Sequence, residues 1–518
     1  MTIGKHAQHR GNANVRKTSR WFARGEPILS RTSGLRSSID EWQPVLLRRP
    51  SVMVMLTGFL LLLFLIPARL VIGGMGAIGR PAIAVGLLLG FLWLAGLLQS
   101  SGLTKGFQPV RWLLAGYVGM QLLGYVVGYD RGLPAVEASG ADRWMILTIA
   151  MAGVALAVAD ALTDRRQLDR LLLLLVAMAA TMALVGVLQF FGIVDLTRYI
   201  RLPGLGLNTD LIGVDERGGP GFARVAGTAT HYIEFGVVLA MILPLALHYA
   251  FFASTVKQKW LRWSAVGLIA SGIPFSVSRA ATLSVLVSVT AIASVWPWRR
   301  KLNAVVVALL AVVAFRMVQP GLLGTIKALF TNADDDPSVQ DRIARTGYVI
   351  DLWQQRPWFG RGSGTVLPDR YILLDNQYYG TLLAGGVIGL IGLVVFFFLP
   401  YLASRSIRLR GADEQTRHLA QALAAPFLVT IMVSATFDSL SFGTYTGVLF
   451  LLIGAVGALW RLDGGGAGRR ALQYADPGAH FVSTPLMARW QPPVRTAAAG
   501  DGRRLRTQST IPQGSNKR

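Results

Sequence analysis

Residues 378–403 read YYGTLLAGGVIGLIGLVVFFFLPYLA, a run without a charged side chain. An α-helix rises about 1.5 Å per residue, so about 20 apolar residues cross the hydrocarbon core of a bilayer. Further apolar segments lie near 51–68, 82–99, 111–128, 144–162, 171–192, 232–252, 262–277, 280–298, 302–318, 418–437 and 443–460. The sequence therefore predicts an all-α, polytopic transmembrane helix bundle of about 12 spans within residues 51–460.

Charge is scarce and unevenly distributed. Charged residues make up 15% of the chain and the net charge is +24, whereas soluble domains carry about 25% charged residues. Basic residues concentrate in the tails 1–50 and 461–518 and in alternate short loops, such as Arg299–Lys301. This positive-inside distribution predicts that both tails are cytoplasmic and disordered. Because topology explains the charge, nucleic-acid binding is disfavoured.

Two predicted extracytoplasmic loops are long, near 193–230 and 319–377. The second contains a helical signal, in which Ser338 and Asp341 resemble a capping box and apolar residues then recur at helical spacing. This amphipathic helix is predicted to end at Pro357, before the Gly-rich turn 358–364. We expect the helix to lie over the outer mouth of the bundle.

Polar residues gather on the predicted outer side. The ionisable residues of the spans fall near their outer ends and are Glu234, Arg279, Arg316 and Asp438. This weakens the interpretation as a proton-coupled transporter, because intramembrane carboxylates usually mark such pathways. A site on the outer face has no access to ATP, so a group transfer there must use an activated, membrane-anchored donor.

No cofactor or metal is predicted. The chain has no cysteine, which excludes disulfides and thiolate metal sites. The run Asp334–Asp336 has the ligands of a divalent-cation site, but a solvated loop before a helix explains it better.

Arginines in three outer segments suit a pyrophosphate, because the guanidinium fork holds phosphate oxygens bidentately. They are Arg224, Arg279, Arg342 and Arg361. Each also has an ordinary explanation: interfacial snorkelling for Arg279, and a loop or solvated helix-face charge for Arg224 and Arg342. Likewise, Gly360-x-Gly362-x-Gly364 fits a tight turn as well as close ligand approach, and His231 fits packing as well as function.

The order of several motifs resembles the O-antigen ligase and O-antigen polymerase superfamily. The matching parts are Arg224 with Gly227-Thr228 and His231, Ser278-Arg279, the stretch from Ser338 through Arg342 to PWFGRGSG at 357–364, DNQY at 375–378 and GGVIGL at 385–390. The family usually has His where this chain has Asp375, and its usual Pro-Asn is absent after His231, where Tyr232-Ile233 follows.

The resemblance implies a multi-pass glycosyltransferase of the bacterial cytoplasmic (inner) membrane, active in cell-surface polysaccharide biosynthesis. Such enzymes move a glycan from a polyprenyl-pyrophosphate carrier to a hydroxyl of a glycan or lipid acceptor, on the extracytoplasmic face and without a metal. Arg224 and Arg279 would bind the pyrophosphate, and the base would be Asp375 or His231. The partners implied are the lipid-linked donor, the acceptor and membrane lipids.

Two other classes remain open at this point. A lipid-linked oligosaccharide flippase or other polysaccharide transporter would spread polar residues through both leaflets, whereas a transferase clusters them at one face. A non-catalytic scaffold would leave the second long loop disordered. The sequence does not distinguish a ligase from a polymerase.

Overall fold

The computed structural model describes residues 51–98, 107–208, 224–318 and 337–463. The predicted tail 1–50, nearly all of 461–518 and the run Asp334–Asp336 lie outside these residues. Within them, helices dominate. They are α1 Val52–Leu65, α2 Pro81–Leu98, α3 Pro109–Asp130, α4 Ala135–Ala161, α5 Arg165–Phe190, α6 Leu196–Tyr199, α7 Tyr232–Phe251, α8 Val256–Phe275, α9 Arg279–Ala293, α10 Trp298–Val318, α11 Pro337–Gln354, α12 Gln377–Arg410, α13 Glu414–Val433 and α14 Gly443–Leu462.

Among the described residues, eight helices are long and apolar enough to cross a membrane: α2, α3, α4, α5, α7, α12, α13 and α14. Helices α1 and α9 are shorter apolar helices, and α8 and α10 carry basic residues near their N-terminal ends. A helix thus occupies each predicted apolar segment, which confirms the helical, membrane-type fold. The count of about 12 spans and the outer location of the second long loop stay predictions.

Small residues allow neighbouring helices to approach closely. A Cβ on Gly86 of α2 would lie 2.7 Å from the Ala150 carbonyl oxygen of α4, and one on Gly153 would lie 2.6 Å from the Gly90 Cα. Such contacts are the usual means of helix association in membranes, where burial from water gives no driving force. Helices α7 and α14 are almost wholly buried and form the centre of the bundle.

The two ends of the bundle carry different polar groups. At the end where α3 begins and α4 finishes, Asp160 accepts hydrogen bonds from Arg111 Nε at 2.6 Å and from Trp93 Nε1 at 2.9 Å. At the opposite end, which we call the His231 end, β1 Leu70–Ile72 pairs antiparallel with β2 Leu205–Leu207. The residues predicted to bind substrate lie toward the His231 end.

Helix α12 is interrupted at Gly386, whose φ of 62° and ψ of −159° are not helical. The helical bonds from Val387 and Ile388 to Leu383 and Ala384 are replaced by four bonds to the preceding loop. Val387 N donates to Pro357 O (2.9 Å), Ile388 N to Trp358 O (3.3 Å), Arg361 N to Leu383 O (2.8 Å) and Gly362 N to Ala384 O (2.8 Å). The loop therefore satisfies the backbone groups that the break exposes.

Candidate active site

The segment that precedes α7 is held against two neighbouring elements. Val225 N donates to Phe275 O at 3.5 Å, at the end of α8. The Gln189 side chain of α5 makes two bonds to the Gly227 backbone, at 2.9 Å to its N–H and 3.2 Å to its carbonyl oxygen. Gly227 has a φ of 57°, and a Cβ there would lie 2.9 Å from Met182 O. The glycine is therefore required by conformation and by space.

Arg224 and Thr228 of this segment have buried polar atoms without a partner. Arg224 Nη1 donates to the Tyr232 hydroxyl at 2.8 Å, and its guanidinium carbon lies 4.8 Å from the centre of that ring. Among the described residues, Arg224 Nε and Thr228 Oγ1 are buried and make no hydrogen bond. Buried donors are normally satisfied, so this segment is a candidate for anion binding.

Arg279 is the first residue of α9 and follows a turn that packs against α7. Val277 has a φ of 44°, and the Ser278 hydroxyl caps α9 by accepting from Ala281 N at 3.4 Å. A Cβ on Gly236 of α7 would lie 2.6 Å from Ser276 Oγ, so the turn and the start of α7 are in close contact. Together with the Val225–Phe275 bond, this arrangement brings the segments of Arg224 and Arg279 side by side.

His231 is the N-cap of α7. Its Nδ1 accepts from Ile233 N at 3.3 Å, and its ring centre lies 4.0 Å from that of Tyr232 and 5.9 Å from that of Phe442. Because Nδ1 accepts, the proton of the neutral ring lies on Nε2. His231 is therefore oriented as a donor at Nε2 and uses its acceptor nitrogen for the helix.

Asp375 precedes α12 in a left-handed conformation, with a φ of 48°. It does not cap the helix: Asn376 is the N-cap, and its Oδ1 accepts from Tyr378 N at 2.9 Å and Tyr379 N at 3.2 Å. The Asp375 side chain is 41% exposed, and its Oδ2 lies 3.7 Å from Arg345 Nη1 of α11. The helix-cap alternative for Asp375 is thus excluded, and the carboxylate remains accessible.

The loop between α13 and α14, residues 434–442, lies between Asp375 and His231. Gln377 N donates to Ser434 O at 2.8 Å, and Leu440 N donates to Gln377 Oε1 at 2.8 Å. Phe442 of the same loop contacts the His231 ring. Burial raises the pKa of Asp438, and the nearby charge of Asp375 raises it further. The loop thus adds a second carboxyl group beside Asp375.

The glycine-rich turn 360–364 packs against helices instead of leaving room for a ligand. A Cβ on Gly362 would lie 2.6 Å from Gly128 Cα of α3, and one on Gly364 would lie 2.8 Å from Gly140 O of α4. Arg361 Nη2 donates to Gln355 Oε1 at 2.6 Å, and its guanidinium carbon lies 5.6 Å from the centre of the Tyr371 ring. These contacts favour the tight-turn interpretation of the glycines and separate Arg361 from the contacts that join Arg224 to Arg279.

Arg342 lies within α11, and its side chain falls outside the described part of the structure. Helix α11 itself packs on the first half of α12, with Val349, Leu374 and Leu383 in a small apolar cluster. The amphipathic pattern predicted this helix, whereas the sequence analysis gave no role to Arg345, Thr228 or the network around Glu234 described below. A lone carboxylate three residues after His231, in an otherwise apolar helix, was a readable signal of that network.

Comparison with known proteins supports the resemblance noted from the motifs. Residues 264–394 match the family model described as O-Antigen ligase, which is 131 of the 518 residues. The match includes Arg279, Asp375 and the break in α12, and it ends before α13. No curated protein matches the chain. The family match and the apolar helices together indicate an integral membrane protein with a role in O-antigen or polysaccharide biosynthesis.

Proposed function

We propose, from the O-antigen ligase domain at residues 264–394, that this protein is a glycosyltransferase that moves a glycan from a polyprenyl-pyrophosphate carrier to a hydroxyl acceptor. The observation that carries the proposal is the adjacency of the Arg224 and Arg279 segments, with buried, unpartnered donor atoms on Arg224 and Thr228. A pyrophosphate offers oxygens for such donors, and guanidinium groups remain charged at any useful pH.

In this reaction the acceptor oxygen attacks the anomeric carbon of the donor sugar. The bond from that carbon to the pyrophosphate oxygen breaks, and the lipid pyrophosphate leaves with the electron pair. Arg224 and Arg279 stabilise the charge that develops on this leaving group, which is the kind of interaction that lowers a transition state in a water-poor site. The hydroxyl proton passes to a base of the protein.

Asp375 is our candidate for that base. Its carboxylate is accessible, and Asn376 relieves it of the capping role. His231 uses its acceptor nitrogen to cap α7, so it suits a hydrogen bond to substrate better than proton abstraction. An aspartate in place of the family's usual histidine can still accept or orient a hydroxyl proton within hydrogen-bond reach.

The proposed site is extracytoplasmic, in the bacterial inner membrane, and independent of metal ions. These features follow from the loop charges and from the family resemblance. The acceptor is either a lipid A core, as for a ligase, or another lipid-linked repeat, as for a polymerase.

The test is transfer by the purified protein in detergent, with a polyprenyl-pyrophosphate-linked glycan as donor and EDTA present. We expect a longer or ligated glycan product and release of polyprenyl pyrophosphate. In a deletion strain, unpolymerised single repeats would indicate a polymerase, and long chains retained on the carrier would indicate a ligase. Movement of intact donor across liposome membranes without transfer would instead support the transporter class. Activity lost with EDTA and restored by one divalent metal would contradict metal independence.

A further inference from the structure

Glu234 is a fully buried carboxylate in the first turn of α7, three residues after His231. Both of its oxygens accept hydrogen bonds from the backbone. Oε2 accepts from Thr230 N at 2.8 Å, and Oε1 accepts from Thr444 N at 2.7 Å and Tyr445 N at 3.0 Å. One side chain therefore joins the residue before His231 to the first turn of α14.

Arg80 balances the buried charge. Its side chain is buried, interacts electrostatically with Glu234 and donates to Thr444 Oγ1 at 3.1 Å and Leu63 O at 3.4 Å. Gly443 leaves room for it, since a Cβ there would lie 2.3 Å from Arg80 Nη1. The Arg80–Glu234 pair thus connects the ends of α1 and α2 with the starts of α7 and α14.

We infer that Glu234 is a positioning residue, which holds the Arg224–His231 segment against α14 in the geometry needed for glycan transfer. The inference rests on the proposed function and assigns Glu234 no contact with substrate. Thr230 links the two observations, because it accepts no freedom at its N–H while Glu234 is bound and it directly precedes His231. Phe442, which contacts the His231 ring, lies just before Thr444, so both bonds of the carboxylate lead to His231.

The chemistry requires a carboxylate at this position. Three N–H donors converge on two oxygens, and an ionised carboxylate is purely an acceptor. A glutamine presents one oxygen and one NH₂ group, so an N–H of one side would face another donor. Reaching outward from the third helical position is also the geometry of a capping box; here the bond goes one residue further, to Thr230, and the second oxygen reaches another helix.

The experiment compares Glu234→Gln, Arg80→Met and the double variant with wild-type protein, all as the full chain in detergent. Glu414→Gln is the matched control, because Glu414 is an exposed glutamate in the first turn of α13. The measurements are the unfolding temperature, kcat and KM for the lipid-linked donor, and hydrogen exchange of peptides covering 224–235. The double variant removes both buried charges, so it avoids the uncompensated arginine that Glu234→Gln leaves.

We expect faster exchange at 224–235 in Glu234→Gln and in the double variant, with kcat lower by about 10²-fold, the usual effect of a displacement near 1 Å. The double variant should recover much of the unfolding temperature but not the transfer rate, and Glu414→Gln should match wild type. Unchanged exchange, or wild-type kcat in the double variant, would overturn the inference. An inactive wild-type protein would refute the proposed function instead, while the exchange comparison would still report on Glu234.

Discussion

Arginines at the ends of apolar segments stand out in this sequence, but the structure separates them by their surroundings. Arg224 retains a buried Nε without a partner, whereas Arg361 is engaged with Gln355 and Tyr371. The pyrophosphate role of Arg224 and Arg279 was therefore readable from residue type and position. The roles of Asp375 and Asn376 were not, because which of two neighbouring residues caps a helix depends on backbone angles that the sequence does not display.

Arg279→Lys should abolish transfer while the protein remains folded. A lysine ammonium is a point charge and cannot replace the bidentate fork of a guanidinium on phosphate oxygens. The measurement is donor KM and transfer rate alongside the unfolding temperature. Arg316→Lys is the control, since Arg316 is an exposed arginine in the last turn of α10. Near-normal transfer by Arg279→Lys would favour an interfacial, snorkelling role.

Asp375→Asn should lower the transfer rate by about 10²–10⁴-fold, the range that general base catalysis typically supplies. Asparagine tolerates the left-handed backbone of this position, so the unfolding free energy should change little. Asn376→Ala should instead cost about 1 kcal/mol of stability, because it removes the cap of α12. A fully active Asp375→Asn would remove Asp375 as the base and redirect attention to His231.

At the scale of elements, helix positions followed from the sequence and the break in α12 did not. Long apolar runs predict helices, because a chain in lipid must satisfy its backbone bonds within the segment. The pair Gly385-Gly386 gives no indication of which residue leaves the helix. That choice depends on the loop 357–362, whose bonds to α12 join residues more than 20 positions apart.

Gly386→Ala should destabilise the protein strongly, and Gly385→Ala should not. The φ and ψ of Gly386 lie in a region open almost only to glycine, at a cost of about 1–3 kcal/mol for other residues. In addition, a Cβ there would lie 2.3 Å from Trp358 O, whereas one on Gly385 meets nothing within 4 Å. Thermal unfolding in detergent measures both variants. Equal unfolding temperatures for the two would mean that α12 does not need this break.

For the whole molecule, apolar periodicity and loop charge predicted the class of fold well. Twelve predicted segments each contain a helix, although eight helices meet the length and hydropathy expected of a span. Orientation was predicted from charge alone. Long-range pairings such as Glu234 with Thr444 escaped prediction, because they join residues 210 positions apart whose proximity depends on how the whole bundle packs.

Both tails should be cytoplasmic and the segment near Gly324 extracytoplasmic. The reason is the excess of Lys and Arg in the tails and alternate loops. Reporter fusions at Gly324 and after residue 518 should therefore give opposite signals, for example phosphatase activity at the first and cytoplasmic fluorescence at the second. Identical signals at both sites would rule out this topology.

The break in α12 also has a consequence for biosynthesis. The four bonds that seal it come from residues 357–362, which the ribosome makes before residues 383–388. The partner of the break has therefore already emerged when α12 enters the membrane, and the exposed backbone groups can pair as soon as they appear. A circular permutation that moved 357–362 behind α12 would reverse this order, and we expect such a chain to spend longer as a target of membrane quality-control proteases.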